Sequence, residues 1–213
     1  MAEKLVLWGV GTPRTLRAHW ALHELGLTYE TRPILSRSGE TKTSEYTALN
    51  PRQKIPLLQD GEFVLGESAA IVAYLARKYM RAGCKLVPDE PDDHARWLEW
   101  CFFIATGLDS TTLYVIRRHG TNLGHIYVDA PEVVTQAGEY FRHQLRHVET
   151  ALVDDRSYLM GDEFTTADIL LSTCLTWAID YGVGIGDIEQ QYLARTMARP
   201  AYLSGLKANA ICI

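Results

Sequence analysis

No two of the four cysteines, Cys84, Cys101, Cys174 and Cys212, stand in a C-x-x-C pair. That excludes a dithiol redox motif and a zinc knuckle. Cys101 and Cys174 sit among apolar neighbours and read as small buried hydrophobes. No apolar run approaches the length that crosses a bilayer. No basic start is followed by the apolar stretch a secretory leader needs. The expected location is therefore a reducing compartment, the cytoplasm. Positive charge is also scarce: 21 Lys and Arg against 26 Asp and Glu leave a net charge of −5. This disfavours general nucleic-acid binding, while a local field can still favour a small anion.

What is present suffices for a sizeable core: 47% of the 213 residues are hydrophobic. The length suits one large domain or two small ones. Lys4 to Trp8 is a short apolar run, expected as a strand. Gly9-Val10-Gly11-Thr12-Pro13 is a turn. Leu16, Trp20 and Leu25 recur at helical spacing up to Gly26, a C-cap signal. Thr28 to Ile34 is rich in β-formers. Ile55–Gln59 and Glu62–Leu65 flank Asp60-Gly61, a strong hairpin signal. Glu67 to Met80 follows as a helix. The order β-α-β-(irregular helix)-β-β-α predicts a thioredoxin-like domain over residues 1–80. Residues 81–91 are a linker with Gly and Pro. Residues 92–213 are expected to be all-helical, with helices over 92–118, 131–153, 166–181 and 188–198.

Two segments carry the chemistry. Asn50-Pro51-Arg52-Gln53-Lys54-Ile55-Pro56-Leu57-Leu58 puts a proline at the start of an apolar run. A cis Ile55–Pro56 bond there makes a tight turn that leaves the backbone groups of Ile55 open to another peptide. Gly66-Glu67-Ser68-Ala69-Ala70-Ile71 puts a carboxylate and a hydroxyl at the first turn of a helix. That end carries unpaired N–H groups and partial positive charge. A small peptide with an amine and a carboxylate finds partners for both. The alternative for Ser68 is a helix cap, and for Glu67 a first-turn charge.

On these segments the chain resembles the cytosolic glutathione transferase family. It matches that family's Asn-Pro-x-x-x-[Val/Ile]-Pro-x-Leu and Glu-Ser-x-Ala-Ile stretches. A third match is Phe164-Thr165-Thr166-Ala167-Asp168-Ile169. The resemblance implies a thioredoxin-like domain followed by a helical bundle, a homodimer, and glutathione as co-substrate with no metal. It implies that Ile55, before Pro56, pairs through its backbone with the cysteinyl unit. Glu67 and Ser68 would hold the γ-glutamyl end, and Lys54 or Gln53 the glycine carboxylate. The family often has a glycine near position 53, from which Gln53 departs.

The reaction implied is attack of the glutathione thiolate on a small, fairly apolar electrophile. A free thiol of pKa roughly 8.5 is only a few per cent ionised at neutral pH. Lowering that pKa by about two units takes roughly 2.7 kcal/mol. One hydrogen bond to a charged acceptor supplies about 1.5–3 kcal/mol. Family members place the donor between the first strand and first helix, as tyrosine, serine or cysteine. No tyrosine or cysteine lies between Gly9 and Arg17, so the chain resembles the bacterial, serine/threonine-like type. Thr12 is the first choice as hydroxyl donor and Arg14, as a cationic stabiliser, the second. Thr15 reads as a helix-start residue. Two rival readings stand: a glutathione-dependent isomerase, dehalogenase or peroxidase on the same scaffold, and a non-catalytic glutathione-binding protein.

Thr165 and Asp168 fit a capping box and Phe164 with Ile169 a hydrophobic staple, so both polar residues are kept out of the site. The pairs His19/His23 and His143/His147 are spaced i, i+4 but lack a metal-site pattern, and are expected to be solvated or partner-facing. An electrophile pocket is expected between the domains, with Trp8, Phe103, Thr106, Tyr114 and Ile116 as candidate lining.

Overall fold

The computed structural model describes residues 4–154 and 156–211, so Cys212 lies outside the described residues. The chain forms two compact units: residues 1–87 with 198–213, and residues 88–197. The contact division differs from the expected 1–80, 81–91 and 92–213 in where the last residues fall. The cause is a helix, Pro200–Ala208, that packs on the first helix of the chain.

The first unit holds β1 (Leu5–Trp8), α1 (Pro13–Glu24), β2 (Glu30–Arg32), α2 (Ser44–Leu49), β3 (Leu57–Asp60), β4 (Phe63–Gly66) and α3 (Ser68–Lys78). The sheet order is β2-β1-β3-β4, with β1 and β2 parallel and the other pairs antiparallel. This is the thioredoxin-like arrangement. Leu5 and Leu7 alternate into the core, and Leu7 pairs with Leu58 across the β1–β3 ladder. β2 is shorter than its β-forming composition suggests, because Pro33 follows it and lacks an N–H for the ladder. α1 begins on Thr12 with Pro13 at its first position, and ends at Leu25 before Gly26 in the left-handed region.

The second unit holds α4 (Pro91–Phe102), α5 (Tyr114–His119), α6 (Pro131–Leu152), α7 (Thr166–Asp180) and α8 (Asp187–Met197). The helix expected over 92–118 is not uniform: Phe103–Leu113 winds as a π-helix of 11 residues. Its hydroxyls bond back to the backbone, Thr106 Oγ1 to Phe102 O at 2.8 Å and Thr111 Oγ1 to Thr106 O and Gly107 O at 2.8 and 2.7 Å. Such back-bonding competes with the helical ladder, and Gly107 removes local stiffness. α7 is buried along most of its length and is anchored by Asp168. Asp168 accepts from Thr165 N–H at 2.8 Å, Thr165 Oγ1 at 3.0 Å, Leu159 N–H at 2.9 Å and Tyr192 Oη at 2.7 Å. The capping-box expectation holds.

α9 (Pro200–Ala208) completes the first unit. Its Gly205 allows close approach, since a Cβ there would stand 2.9 Å from the Trp20 backbone. Arg199, just before α9, forms an ion pair with Glu24 at 2.6 Å. The pattern of residues 198–213 gave no sign of this helix.

Candidate functional site

The Ile55–Pro56 bond is cis. β3 begins only at Leu57, so Ile55 lies outside the ladder. Its neighbour Lys54 has its carbonyl held by Tyr46 Oη at 2.6 Å and Asn50 Nδ2 at 2.8 Å. Among the described residues, the Ile55 backbone N–H and C=O take no backbone partner. Gln53 has φ 53°, in the left-handed region that favours glycine. Gln53 Nε2 donates to Thr47 Oγ1 at 3.1 Å.

The second segment follows β4. Glu67 has φ 66° and ψ 113°, an outlier for a side-chain-bearing residue. Its carboxylate is exposed and pairs with Arg52 at 2.5 Å. Ser68 is the first residue of α3 and is buried, so Glu67 and not Ser68 occupies the cap position. The first helical bond of α3 is Ile71 N–H to Glu67 O at 2.9 Å. The N–H groups of Ser68, Ala69 and Ala70 therefore form the open donor end of the helix. Ser68 Oγ accepts from Arg17 Nη1 at 3.2 Å. Arg17 is 2% exposed. Thus α1 sends a buried cation to the N-terminus of α3, where helix dipole and guanidinium both favour an anion.

Arg17 was missed by the sequence reading. The available signal was a basic residue inside the run Thr15–Leu22, which faces the core throughout. A charge in such a run needs partners, and one of them, Ser68, lies 51 positions away.

The third segment is the loop from β1 to α1. Gly9 has φ 108°, and a Cβ there would come within 2.6 Å of the Ile55 side chain. The turn before α1 therefore sits directly on the cis-proline loop. Thr12 is half-buried and caps α1: its Oγ1 accepts from Thr15 N–H at 3.0 Å, and Thr15 Oγ1 accepts from Thr12 N–H at 3.0 Å. Arg14 is half-buried in the first turn of α1. Lys54 is exposed. Contacts thus link the loop of Thr12 to Ile55 and α1 to Ser68, within one compact unit.

His19 corrects the expectation of a solvated histidine. It is fully buried, with Nδ1 2.7 Å from Tyr29 Oη and Nε2 3.2 Å from Gly9 O. Gly9 O can only accept, so Nε2 carries the proton and Nδ1 accepts from Tyr29. Burial, opposed by the Gly9 bond and helped by His23, lowers its pKa to about 4. His147 stacks on Trp100 with ring centres 4.6 Å apart. Among the described residues no group of three His, Cys, Asp or Glu is placed to hold a metal ion. Cys101 is buried and burial pushes its thiol up to about 12; Cys174 is buried too. Of the candidate lining residues, Trp8 donates from Nε1 to Gln59 Oε1 at 2.5 Å, Ile116 is buried, and Phe103 and Thr106 lie in the π-helix.

Known proteins share the family and the fold of this chain. The family description "Glutathione S-transferase, N-terminal domain" matches residues 3–77, and "Glutathione S-transferase, C-terminal domain" matches 131–199. The chain is similar to Glutathione S-transferase 1 of Schizosaccharomyces pombe, 32% identical over 163 residues, covering 74% of this chain and 68% of that protein. It is similar to a glutathione S-transferase of Hyoscyamus muticus, 30% identical over 204 residues, covering 92% and 94%. Among solved structures, a glutathione transferase from Pseudomonas putida with one glutathione disulfide bound per subunit superposes with a TM-score of 0.85. Identity there is 25%, covering 98% of this chain and 93% of that one.

Proposed function

We propose that this chain, which belongs to the glutathione S-transferase family, binds glutathione in its first unit and joins the thiolate to small, fairly apolar electrophiles. The observation that carries this reading is the buried Arg17 bonded to Ser68 at the open end of α3. A guanidinium beside a helix N-terminus adds its positive charge to that of the helix end, which favours an anion there. The γ-glutamyl carboxylate fits that place, held by Ser68 and the first-turn N–H groups. Glu67 takes the γ-glutamyl amine. Ile55, presented by cis Pro56, pairs with the cysteinyl backbone, and the exposed Lys54 takes the glycine carboxylate. The Pseudomonas putida relative, solved with glutathione disulfide, supports this class of ligand.

Catalysis consists of ionising and placing the thiol. Thr12 donates its hydroxyl proton to the thiolate, which makes the protein serine/threonine-like. Such a bond is worth about 1.5–3 kcal/mol, much of what a two-unit pKa drop requires. Arg14, two residues on at the start of α1, adds positive charge and is the second candidate. The protein works as a cytoplasmic homodimer, as the family resemblance implies.

A second reading has one observation in its favour. Thr12 Oγ1 already lies 3.0 Å from Thr15 Oγ1 and serves as a cap. If that is its whole role, glutathione binds without being ionised. Calorimetry of glutathione binding, paired with product analysis using an aryl halide, an epoxide and a peroxide, separates the cases. Micromolar to millimolar binding with a thioether product supports conjugation. Binding with no product from any of the three would support the binding role, and reduction of peroxide alone would move the reaction class.

A further inference from the structure

The start of α8 holds a carboxylate with no cation to neutralise it. Glu189 is 0% exposed, and neither of its carboxylate oxygens has a hydrogen-bond partner among the described residues. It forms no ion pair among them either. Gln190 N–H donates to Gly186 O at 3.0 Å, the first helical bond of α8. Gly186 is therefore the capping residue, and Glu189 lies in the first turn. Gly186 makes room for the carboxylate: a Cβ there would stand 2.8 Å from Glu189 Oε2. The same point lies 3.7 Å from Oε1 of Glu149, a half-buried residue of α6. Two carboxylates from two helices thus meet over one glycine.

α8 packs on α6 and α7. From α6 the group facing Glu189 is Glu149; Arg142, His143 and Arg146 of that helix are exposed, and His147 stacks on Trp100. From α7, Asp168 is taken up by Tyr192 and three other donors, and Asp180 is exposed. On α8 itself Asp187 is exposed, and Arg195 turns to Ser157 O at 3.4 Å. The open N–H groups and dipole at a helix start favour one negative charge. They do not favour two in one dry place. Carboxylates sharing a buried site cannot both ionise, because little water screens their repulsion. Burial, with Glu149 adding to it, raises the pKa of Glu189. The nearby N–H groups of Glu189 and Gly186 oppose that shift without forming a hydrogen bond to the carboxylate.

We propose that Glu149 and Glu189 share one proton in the folded protein, and that this proton is a pH-sensitive tie between α6 and the start of α8. One carboxyl donates to the other, so the pair carries a single negative charge, which the helix end accommodates. The folded pKa lies above the ordinary 4.5. The proton's contribution to stability is therefore complete below 4.5 and is lost as pH rises through the folded value. Once the proton leaves to solvent, two carboxylates repel across Gly186 and the start of α8 parts from α6. The Tyr192–Asp168 and Ser172–Thr196 bonds hold the rest of α8 to α7, so the loosening stays local.

The test uses the full chain and four proteins: wild type, Glu189→Gln, Glu149→Gln and the double variant. Urea unfolding at several pH values between 5 and 8 reads stability. Hydrogen exchange of the α8 amides, followed by mass spectrometry, reads the tie itself. Through the window where the pair loses its proton, the wild-type folding constant should fall relative to Glu189→Gln, by up to about tenfold per pH unit. Comparing proteins at each pH cancels the contribution of His19, which has the opposite sign. At pH 8 the amides in the first turns of α8 should exchange about tenfold faster in wild type than in Glu189→Gln, with α7 alike in both. Glu149→Gln should flatten the curve less, because burial still raises Glu189. The double variant should add little to Glu189→Gln. Should Glu189→Gln fold poorly, Glu149→Gln carries the test. Parallel stability curves for wild type and a folded Glu189→Gln overturn the proposal, as does a Glu149→Gln curve parallel to wild type. Calcium or magnesium chloride that stabilises wild type at pH 8 but not Glu189→Gln also overturns it, since the pair then holds a cation in place of the proton.

Discussion

Two helices of this chain start on the same motif and put it to different use. α7 begins Thr165-x-x-Asp168 and α1 begins Thr12-x-x-Thr15. At α7 the third helical residue is a carboxylate. It takes the threonine N–H and hydroxyl proton, plus two further donors, and nothing is left over. Both residues are buried, 2% and 0% exposed. At α1 the third residue is a neutral hydroxyl that donates toward Asn209 Oδ1 and the Thr12 carbonyl, so this cap carries no charge. That threonine is also half-exposed. A saturated, buried cap is a structural lock, whereas a neutral cap near the surface can also meet a ligand. The chemistry of the residue three positions on, and what it is bonded to, sets the difference.

Breaking the α7 cap should have the largest effect. Asp168→Ala leaves the Thr165 N–H, Leu159 N–H and Tyr192 hydroxyl buried without acceptors. Each orphan costs about 1–3 kcal/mol, so a loss of at least about 3 kcal/mol is expected by urea unfolding. Retention of wild-type stability would show that α7 needs no lock.

Acid should weaken the α1 side through His19. Its pKa falls from 6.5 in the unfolded chain to about 4 when folded. The unfolded state therefore binds more protons between those values, and stability declines as pH drops through the window. The loss approaches about 3 kcal/mol by pH 4. His19→Gln should flatten this limb between pH 6.5 and 4. Urea curves of both proteins at several pH values check it, and an unaltered slope would contradict the assignment.

Thr12→Ala should separate stability from activity. Loss of the cap costs about 1 kcal/mol, while kcat/KM should fall about 10- to 100-fold from the lost bond to the thiolate. Thr12→Ser should keep most of both. Full turnover with the same pH–rate profile in Thr12→Ala would remove Thr12 from the chemistry.

The smallest effects belong to the glutathione contacts. Ser68→Ala and Glu67→Ala should each raise the glutathione Kd about tenfold, roughly 1.4 kcal/mol, with folding little changed. Calorimetric affinities equal to wild type in both would undo the site as drawn.

Local signals made much of this readable from the sequence. The Asp60-Gly61 hairpin, the start and stop of α1, the cis Ile55–Pro56 turn and the Glu67-Ser68 helix start each depend on a few adjacent residues. So does the Thr165–Asp168 box. What escaped depends on distant partners. Arg17 reads as one more basic helix residue until Ser68 is placed against it. His19 reads as solvated until Gly9 and Tyr29 close over it. Asn209 is one polar residue near a chain end until α9 brings it to Thr12. The π-helix escaped for a different reason: an apolar stretch with threonines looks helical, and periodicity does not register hydroxyls bonding backwards.

The most direct test of the central claim is ultraviolet difference absorbance of the wild-type glutathione complex from pH 5 to 9. The account predicts a thiolate signal with a midpoint about two units below the free thiol's roughly 8.5. Glutathione that binds by calorimetry but titrates at the free thiol's value would contradict it.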